Sequence, residues 1–283
     1  MDTKIQWFPG HMTKTNRMVM EQIKLVDMVI CVLDARAFRA SINPSLHISK
    51  PHLYVVNKID MIESQDAVHI LNVLKAEGKT AITCNSLGGK PRGIEKAIRD
   101  IMQEKIGRYE DKGINKTIRV MVTGVPNSGK STLINALSGS KKAMTGNKPG
   151  VTRGKQWITL SDNIELLDTP GTLEPTFSNQ EHAKHLAYIG SIKDDVLDIA
   201  ELACELIKDL ISMNNAYSTT HNGGIISERY GIDESLLPHE ILEGIAKSRG
   251  FLLHRGETDY DRAARTLLDD FRKQKLGKIC LEK

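Results

Sequence analysis

Apolar residues along the chain fall into compact blocks separated by stretches with helical spacing. Residues 28–33, 53–56, 80–84 and 118–122 are short apolar runs, rich in β-branched residues and bounded by turn formers, which predicts buried strands. Between and around them lie helical spacings. Residues 13–26 put Val19, Ile23 and Val26 on one face and Lys14, Arg17 and Lys24 outward, just after a turn at Pro9-Gly10, and residues 67–77 and 94–102 follow the same logic. Strands alternating with helices of this length predict βαβ units and a mostly parallel sheet, which binds ligands at the carboxyl ends of its strands. Residues 103–116 are charge-rich, contain Gly107 and Gly113, and read as a connector. Two further strands, 156–160 and 164–167, flank a hairpin turn at Ser161-Asp162-Asn163.

Past Pro175 the pattern becomes helical, with no further strand predicted. Helices are expected over 196–211 (Leu202, Leu206 and Leu210 inward, Asp194 and Asp195 as start signals) and over 238–249, stopped by Gly250. A last helix over 259–275 carries Tyr260, Ala264, Leu267, Leu268 and Phe271 on one face. The expected architecture is an α/β domain over residues 1–177 followed by a smaller all-α domain over residues 178–283.

Composition narrows this picture only modestly. The 283 residues are 40% hydrophobic and 26% charged, ordinary for a globular protein with a full core. A net charge of +4 is compatible with a nucleic-acid surface without demanding one. Cys31, Cys84, Cys204 and Cys280 are scattered, without metal-ligand spacing, and read as reduced thiols. No segment has the length of a signal peptide core or a membrane span, so a cytoplasmic protein without membrane contact is expected.

The chemistry concentrates in Gly124-Val-Pro-Asn-Ser-Gly-Lys-Ser-Thr132, between the strand at 118–122 and a helical segment at 133–137. This is the strand, loop and helix context of a P-loop. Glycines let successive N–H groups turn toward phosphate oxygens, and the following helix N-terminus adds favourable partial charge. Asn127, Ser128, Gly129, Lys130, Ser131 and Thr132 are therefore nucleotide-binding candidates, with Lys130 reaching the β- and γ-phosphates and Ser131 on Mg²⁺.

Asn57-Lys58-Ile59-Asp60 ends a predicted strand and matches the guanine-reading pattern N-K-x-D. The Asp60 carboxylate can accept from guanine N1–H and the exocyclic amine, whereas adenine would present an acceptor. A site built on such bonds rejects the wrong base by roughly ten-thousand-fold. Asn57 would tie this loop to the P-loop and the Lys58 stem would cover the base. Asn85-Ser86 ends another strand, and the Ser86 N–H is expected to meet the base oxygen. Asp168-Thr-Pro-Gly171 supplies a carboxylate that holds Mg²⁺ through water and a Gly171 N–H for the γ-phosphate. Thr152, in Pro149-Gly-Val-Thr152, reads as the switch residue that joins Mg²⁺ when γ-phosphate is present, or else as an ordinary loop threonine.

The order is unusual, because the base-reading motifs precede the P-loop. The sheet can stay the same while its chain ends move. The segment after Gly171 then runs directly into the helical domain, where loss of γ-phosphate could reposition it.

This permuted order, the N-terminal Trp7-Phe-Pro-Gly-His-Met12 and the Gly-x-Pro-Asn-x-Gly-Lys-Ser loop resemble the YlqF-type family, ribosome biogenesis GTPase A, over essentially the whole chain. The resemblance implies a circularly permuted P-loop GTPase that acts in assembly of the large bacterial ribosomal subunit, with the helical domain contacting ribosomal RNA or protein. It also implies that His11 orients the attacking water, since Thr172 stands where Ras-type enzymes carry a glutamine. A neutral imidazole can accept from water at physiological pH. The alternative is that His11 holds the Pro9-Gly10 turn. Asn127 is similar to P-loop asparagines that use K⁺ as a charge-neutralising element, or it shapes the loop.

Two functions compete. In one, GTP binding docks the chain on a large-subunit precursor and hydrolysis, with His11, Lys130 and Thr152 as catalytic residues, releases it as a monomer. RNA contact would fall to Lys141, Lys142, Lys148, Arg153 and Lys155, and to Arg262, Arg265, Arg272, Lys273 and Lys275, unless these are solvated faces interrupted by Asp269 and Asp270. In the other, the chain is a GTP-gated protein-binding scaffold with negligible turnover.

Overall fold

The computed structural model describes residues 10–46, 48–139, 156–161, 163–216, 224–254 and 256–282. Its strands are β1 (Met28–Asp34), β2 (His52–Asn57), β3 (Ala81–Thr83), β4 (Ile118–Thr123), β5 (Gln156–Ser161) and β6 (Ile164–Asp168). They form one sheet in the order β3-β2-β1-β4-β6-β5, parallel except for β5, which runs antiparallel to β6. β1 pairs with β2 on one side and β4 on the other. The chain winds outward from β1 in one direction, then returns beside it to wind in the other. That reversal places a crevice at the carboxyl ends of β1 and β4, where such sheets bind ligands.

Helices α1 (Gly10–Ile23), α2 (Ser64–Ala76), α3 (Ile94–Glu110) and α4 (Lys130–Ser138) cover the two faces. Ile30, Val32, Val55 and Val122 meet Ile98, Leu133 and Ile134 of α3 and α4. On the opposite face Leu33 and Val56 meet Ile70 and Leu74 of α2, and Val29 and Met121 meet Val19 and Ile23 of α1. Covered on both sides, β1 is apolar nearly throughout, as a central parallel strand requires.

The rest of the chain folds as α5 (Gln180–Tyr188), α6 (Ile199–Ala216), α7 (Ile225–Tyr230), α8 (Pro238–Ser248) and α9 (Tyr260–Arg272). Leu206 and Leu210 of α6 pack with Ile241 and Ile245 of α8 and Leu267 and Leu268 of α9. The same apolar cluster takes in Ala37, Ala40, Val125, Leu173 and Phe177, so the helical unit shares its core with loops at the edge of the sheet. Among the described residues no helix is long and apolar enough to cross a membrane.

Several boundaries differ from the local pattern. Gly10 is already helical, and α1 ends at Ile23, short of the expected Val26. α3 runs through Gly107 to Glu110, so much of the expected connector is helix. Burial of Met102, partial burial of Ile106 and the Lys105–Asp27 ion pair offset a glycine cost of about 1 kcal/mol. Asp194 and Asp195 belong to a separate 3₁₀ turn, and Asp198 instead accepts the Glu201 N–H at the start of α6. Tyr260 is exposed, and Ala263 takes its place on the buried face of α9.

The C-terminus returns to the sheet. Leu281 N–H donates to Arg36 O at 2.8 Å and Ile279 N–H to Met61 O at 3.1 Å. The buried Glu282 carboxylate accepts from Arg39 N–H and Ala40 N–H and lies 3.0 Å from His185 Nδ1 on α5. Glu282→Ala leaves those donors without an acceptor away from water, and should lower the unfolding free energy by about 2–3 kcal/mol. Equilibrium urea unfolding checks this, and a loss of less than about 0.5 kcal/mol would contradict the docked tail.

Candidate nucleotide site

The P-loop connects β4 to α4, and its backbone leaves no room for side chains at two glycines. Gly124 has φ +148°, and a Cβ there would lie 2.3 Å from Val32 O on β1. Gly129 has φ +93°, and a Cβ would lie 2.3 Å from Asn57 Nδ2. Asn127 between them is also left-handed, at φ 61°. The loop thus curls between the ends of β1 and β2 and delivers Lys130 and Ser131 to the first turn of α4. Thr132 is half-buried in that turn. The Ser128 side chain is buried inward, so only its backbone can face a ligand. Lys130 is buried too, with Nζ donating to Val125 O at 2.8 Å. Burial lowers its pKa to about 8, against the opposing pull of the Asp168 carboxylate.

The loop after β2, which carries the N-K-x-D motif, is fastened to this one by Asn57. Its Nδ2 donates to Ser128 O at 2.9 Å, and its Oδ1 accepts from Ser86 N–H at 3.1 Å and Ser86 Oγ at 2.8 Å. Ser86 N–H is therefore spent on Asn57, not turned toward a base as expected. Asn85 Oδ1 accepts from Leu87 N–H and Gly88 N–H and closes the turn beyond β3. Lys58, left-handed at φ 62°, sends its amine to Asn127 O and to Asp34 Oδ2 at 2.9 Å. Asp34, paired with Asn57 across the β1–β2 register, also receives Arg36 Nε at 2.9 Å and Nη2 at 2.8 Å. Burial opposes the Asp34 charge, yet Arg36 and Lys58 outweigh it and hold the carboxyl well below the usual range. The Asp60 carboxylate has no hydrogen-bond partner among the described residues, although Asp60 O and Met61 O both accept bonds from beyond α9.

The third loop follows β6. Ser131 Oγ donates to the buried Asp168 Oδ2 at 3.3 Å. A hydroxyl on the first helical turn with a carboxylate behind it suits Mg²⁺, which keeps several waters and needs few protein ligands. Among the described residues no cluster of three or more His, Cys, Asp or Glu offers a protein-only cage, so the Ser131–Asp168 pair with phosphate oxygens is the site that fits. Mg²⁺ there would neutralise charge on the β- and γ-phosphates. A Cβ on Gly171 would lie 2.7 Å from Pro126 Cα, so this loop lies directly on the P-loop. Thr172 N–H donates to Gly124 O at 3.1 Å while its side chain is fully buried.

With these loops in place, comparison with known proteins is informative. The 50S ribosome-binding GTPase family matches residues 119–222. Ribosome biogenesis GTPase A of Priestia megaterium is 38% identical over 96% of this chain and 94% of its own length. The chain belongs to the ribosome biogenesis GTPase A family. Among solved structures, GNP-bound YlqF from Thermotoga maritima aligns with TM-score 0.66 and 25% identity over 95% of this chain and 98% of that one. Its GDP-bound form aligns with TM-score 0.61 and 26% identity over 94% and 99%. As a member of this family the chain is a GTP-binding GTP hydrolase.

Within this GTPase the candidates gather at the carboxyl edge of the sheet: Asn57 and Asp168 end β2 and β6, Lys130 and Ser131 open α4, and Lys58, Asp60, Asn85, Ser86, Asn127, Ser128, Gly129 and Gly171 lie on the connecting segments. His11 lies in the first turn of α1, with its side chain outside the described residues. Thr152 and Lys141, Lys142, Lys148, Arg153 and Lys155 also lie outside them, as do Trp7 and Phe8. Of the second basic group, Arg272 is half-buried and bonded to Tyr188 O, Ala187 O and Asp194. Lys273 and Lys275 pair with Asp269 and Asp270, leaving Arg262 and Arg265 exposed. Sequence reading missed Asp34 and Arg36, although Asp-Ala-Arg at a strand end was a usable signal. Gly190 and Ser191 carry no local signal, yet Gly190 O accepts from Asn127 Nδ2 at 2.6 Å and Ser191 Oγ donates to Pro126 O at 2.7 Å.

Asn57→Ala removes three buried bonds at about 1 kcal/mol each and should weaken GDP binding by about a hundredfold, read by nucleotide titration. An affinity within threefold of wild type would contradict the fastening role. Lys130 also sets a pH dependence. Its folded pKa, about 8, lies below its ordinary value of 10.5, so the buried charge costs stability below about pH 8. That cost is relieved as pH rises toward 10.5, because the unfolded chain binds the extra proton. Nucleotide-free wild type should therefore gain stability relative to Lys130→Met between about pH 8 and 10 in paired unfolding curves, and parallel curves would contradict this.

Proposed function

We propose that this GTPase is an assembly factor for the large (50S) bacterial ribosomal subunit, working in the cytoplasm as a monomer that docks in the GTP form and leaves on hydrolysis. The observation that carries this reading is the direct bonding of the P-loop to the helical unit through Asn127–Gly190 and Pro126–Ser191. A change at the γ-phosphate has a short physical route into α5 and the bundle behind it. Residues 1–177 form the switch, and residues 178–283 form the part that meets ribosomal RNA and protein, with Arg262 and Arg265 as phosphate contacts.

Ser131, Asp168 through water and, when γ-phosphate is present, Thr152 would hold Mg²⁺, which would neutralise charge on the phosphates. Asp60 reads guanine, Gly171 N–H meets the γ-phosphate, and Asn127 would be the residue to hold K⁺, which would supply charge neutralisation at the phosphates. His11 orients the attacking water once the subunit has placed it. What supports His11 is the attachment of its helix to the segment after Gly171: Asn16 Nδ2 donates to Leu173 O at 3.0 Å, within two turns of His11.

A GTP-gated scaffold with negligible turnover is the second reading. Burial of Thr172 favours it, because the side chain after the D-x-x-G motif faces away from any attacking water. GTP turnover in K⁺ and in Na⁺, with and without large ribosomal subunits, separates the two. Stimulation by subunits and K⁺, lost in His11→Ala with GTP binding intact, is expected. Absence of stimulation would favour the scaffold, and an active His11→Ala would return that residue to a structural role.

A further inference from the structure

Among the described residues three non-glycine residues are left-handed: Lys58 at φ 62°, Asn127 at φ 61° and Gln274 at φ 61°. Such a backbone costs a residue with a Cβ about 1–2 kcal/mol. Lys58 and Asn127 belong to the nucleotide loops. Gln274 comes from the far end of the chain, two residues beyond α9, in the position where helices commonly end on glycine. Its N–H donates to Phe271 O at 3.1 Å and the following Lys275 N–H to Asp270 O at 2.8 Å, so it closes the helix as a glycine would. A glycine would do this without strain. What glycine lacks is the side chain, whose Nε2 donates to Asp60 O at 2.8 Å in a partly buried contact.

We infer that Gln274 is a positioning residue for guanine recognition: through its bond to Asp60 O it holds the base-reading carboxylate in register, making the C-terminal segment part of the nucleotide site. The inference rests on Asp60 reading the base. The neighbouring bond from Ile279 N–H to Met61 O anchors the next residue of the same turn from the same segment. On the other side, Lys58 ties the loop to Asp34 and Asn127. Asp60 is thus gripped from both flanks while its own carboxylate takes no hydrogen bond from a described residue. A carboxylate that discriminates by paired hydrogen bonds needs this fixity, since a displacement of a few tenths of an ångström weakens both bonds together.

The test measures GDP and IDP affinity, by calorimetry on the full chain, for wild type, Gln274→Gly, Gln274→Met and Asp60→Ala. IDP lacks the exocyclic amine and makes only one of the two bonds to Asp60. Both Gln274 variants should weaken GDP about fivefold and IDP about twofold, the effect of one bond carried onto a pair and onto a single contact. Their thermal stabilities should diverge, because Gly relieves the left-handed strain and Met keeps it. A selectivity loss shared by both variants, independent of melting temperature, supports positioning. Unchanged affinities, or a loss that tracks melting temperature, would overturn it. Asp60→Ala separates the underlying reading. If it abolishes the GDP preference while the Gln274 variants keep theirs, the role of Gln274 alone fails. If it leaves the preference intact, guanine reading by Asp60 fails and this inference with it.

Discussion

The Asn57 carboxamide donates to Ser128 O and accepts from the N–H and hydroxyl of Ser86, joining three loops that leave three different strands. The rest of the nucleotide site depends on this closure. Without it the P-loop, the N-K-x-D loop after β2 and the turn after β3 would be separate surface segments, each free to move on its own. With it they form one rim whose spacing follows from the register of the sheet beneath. The requirement reaches back to Gly129, where a side chain would collide with the amide, and to Asp34, whose buried charge keeps Lys58 against the P-loop. A buried carboxylate of this kind survives only because Arg36 and Lys58 satisfy it together, so the ion cluster and the carboxamide stand or fall as one network.

Moving the chain ends changes what surrounds that rim. Gly171 lies on Pro126 and Thr172 N–H bonds Gly124 O, and a short stretch later the chain enters α5, whose end turns back at Gly190 and Ser191 to touch the P-loop. Arg272 from α9 braces the same turn through Tyr188 O, Ala187 O and Asp194. Its own carbonyl oxygen lies 3.5 Å from Arg36 Nη1, and the Arg36 guanidinium sits 5.6 Å from the Phe271 ring. The helical unit is therefore not a tethered appendage. Its polar contacts include bonds to the P-loop and to the loop after β2, and any motion there has to break them or carry them along.

How much of this was legible in the sequence follows from how local each signal is. The strands, the P-loop and the Asn57–Asp60 motif are written in contiguous residues, because backbone curl and strand burial are local demands. The parallel sheet followed from their alternation with helices. α5 and α7 were missed, being short segments stabilised by packing into a shared core rather than by propensity. The helical course through Gly107 was missed for the same reason. The Ser86 N–H was assigned to the base because its competitor, Asn57 Oδ1, lies far away in sequence. Arg272 looked like a surface cation because its three acceptors come from the region of α5. Asp34, Gly190 and Gln274 act through partners that only the tertiary fold supplies.

The central claim is that loops preceding the P-loop in sequence complete one guanine site with it. The most direct measurement is competition among GDP, ADP and XDP for wild type and Asp60→Asn. The account predicts strong preference for GDP in wild type, and a swing toward XDP when an amide donor at Asp60 faces the xanthine 2-oxo group. Equal binding of ADP and GDP by wild type, or an Asp60→Asn variant that still prefers GDP, would contradict it.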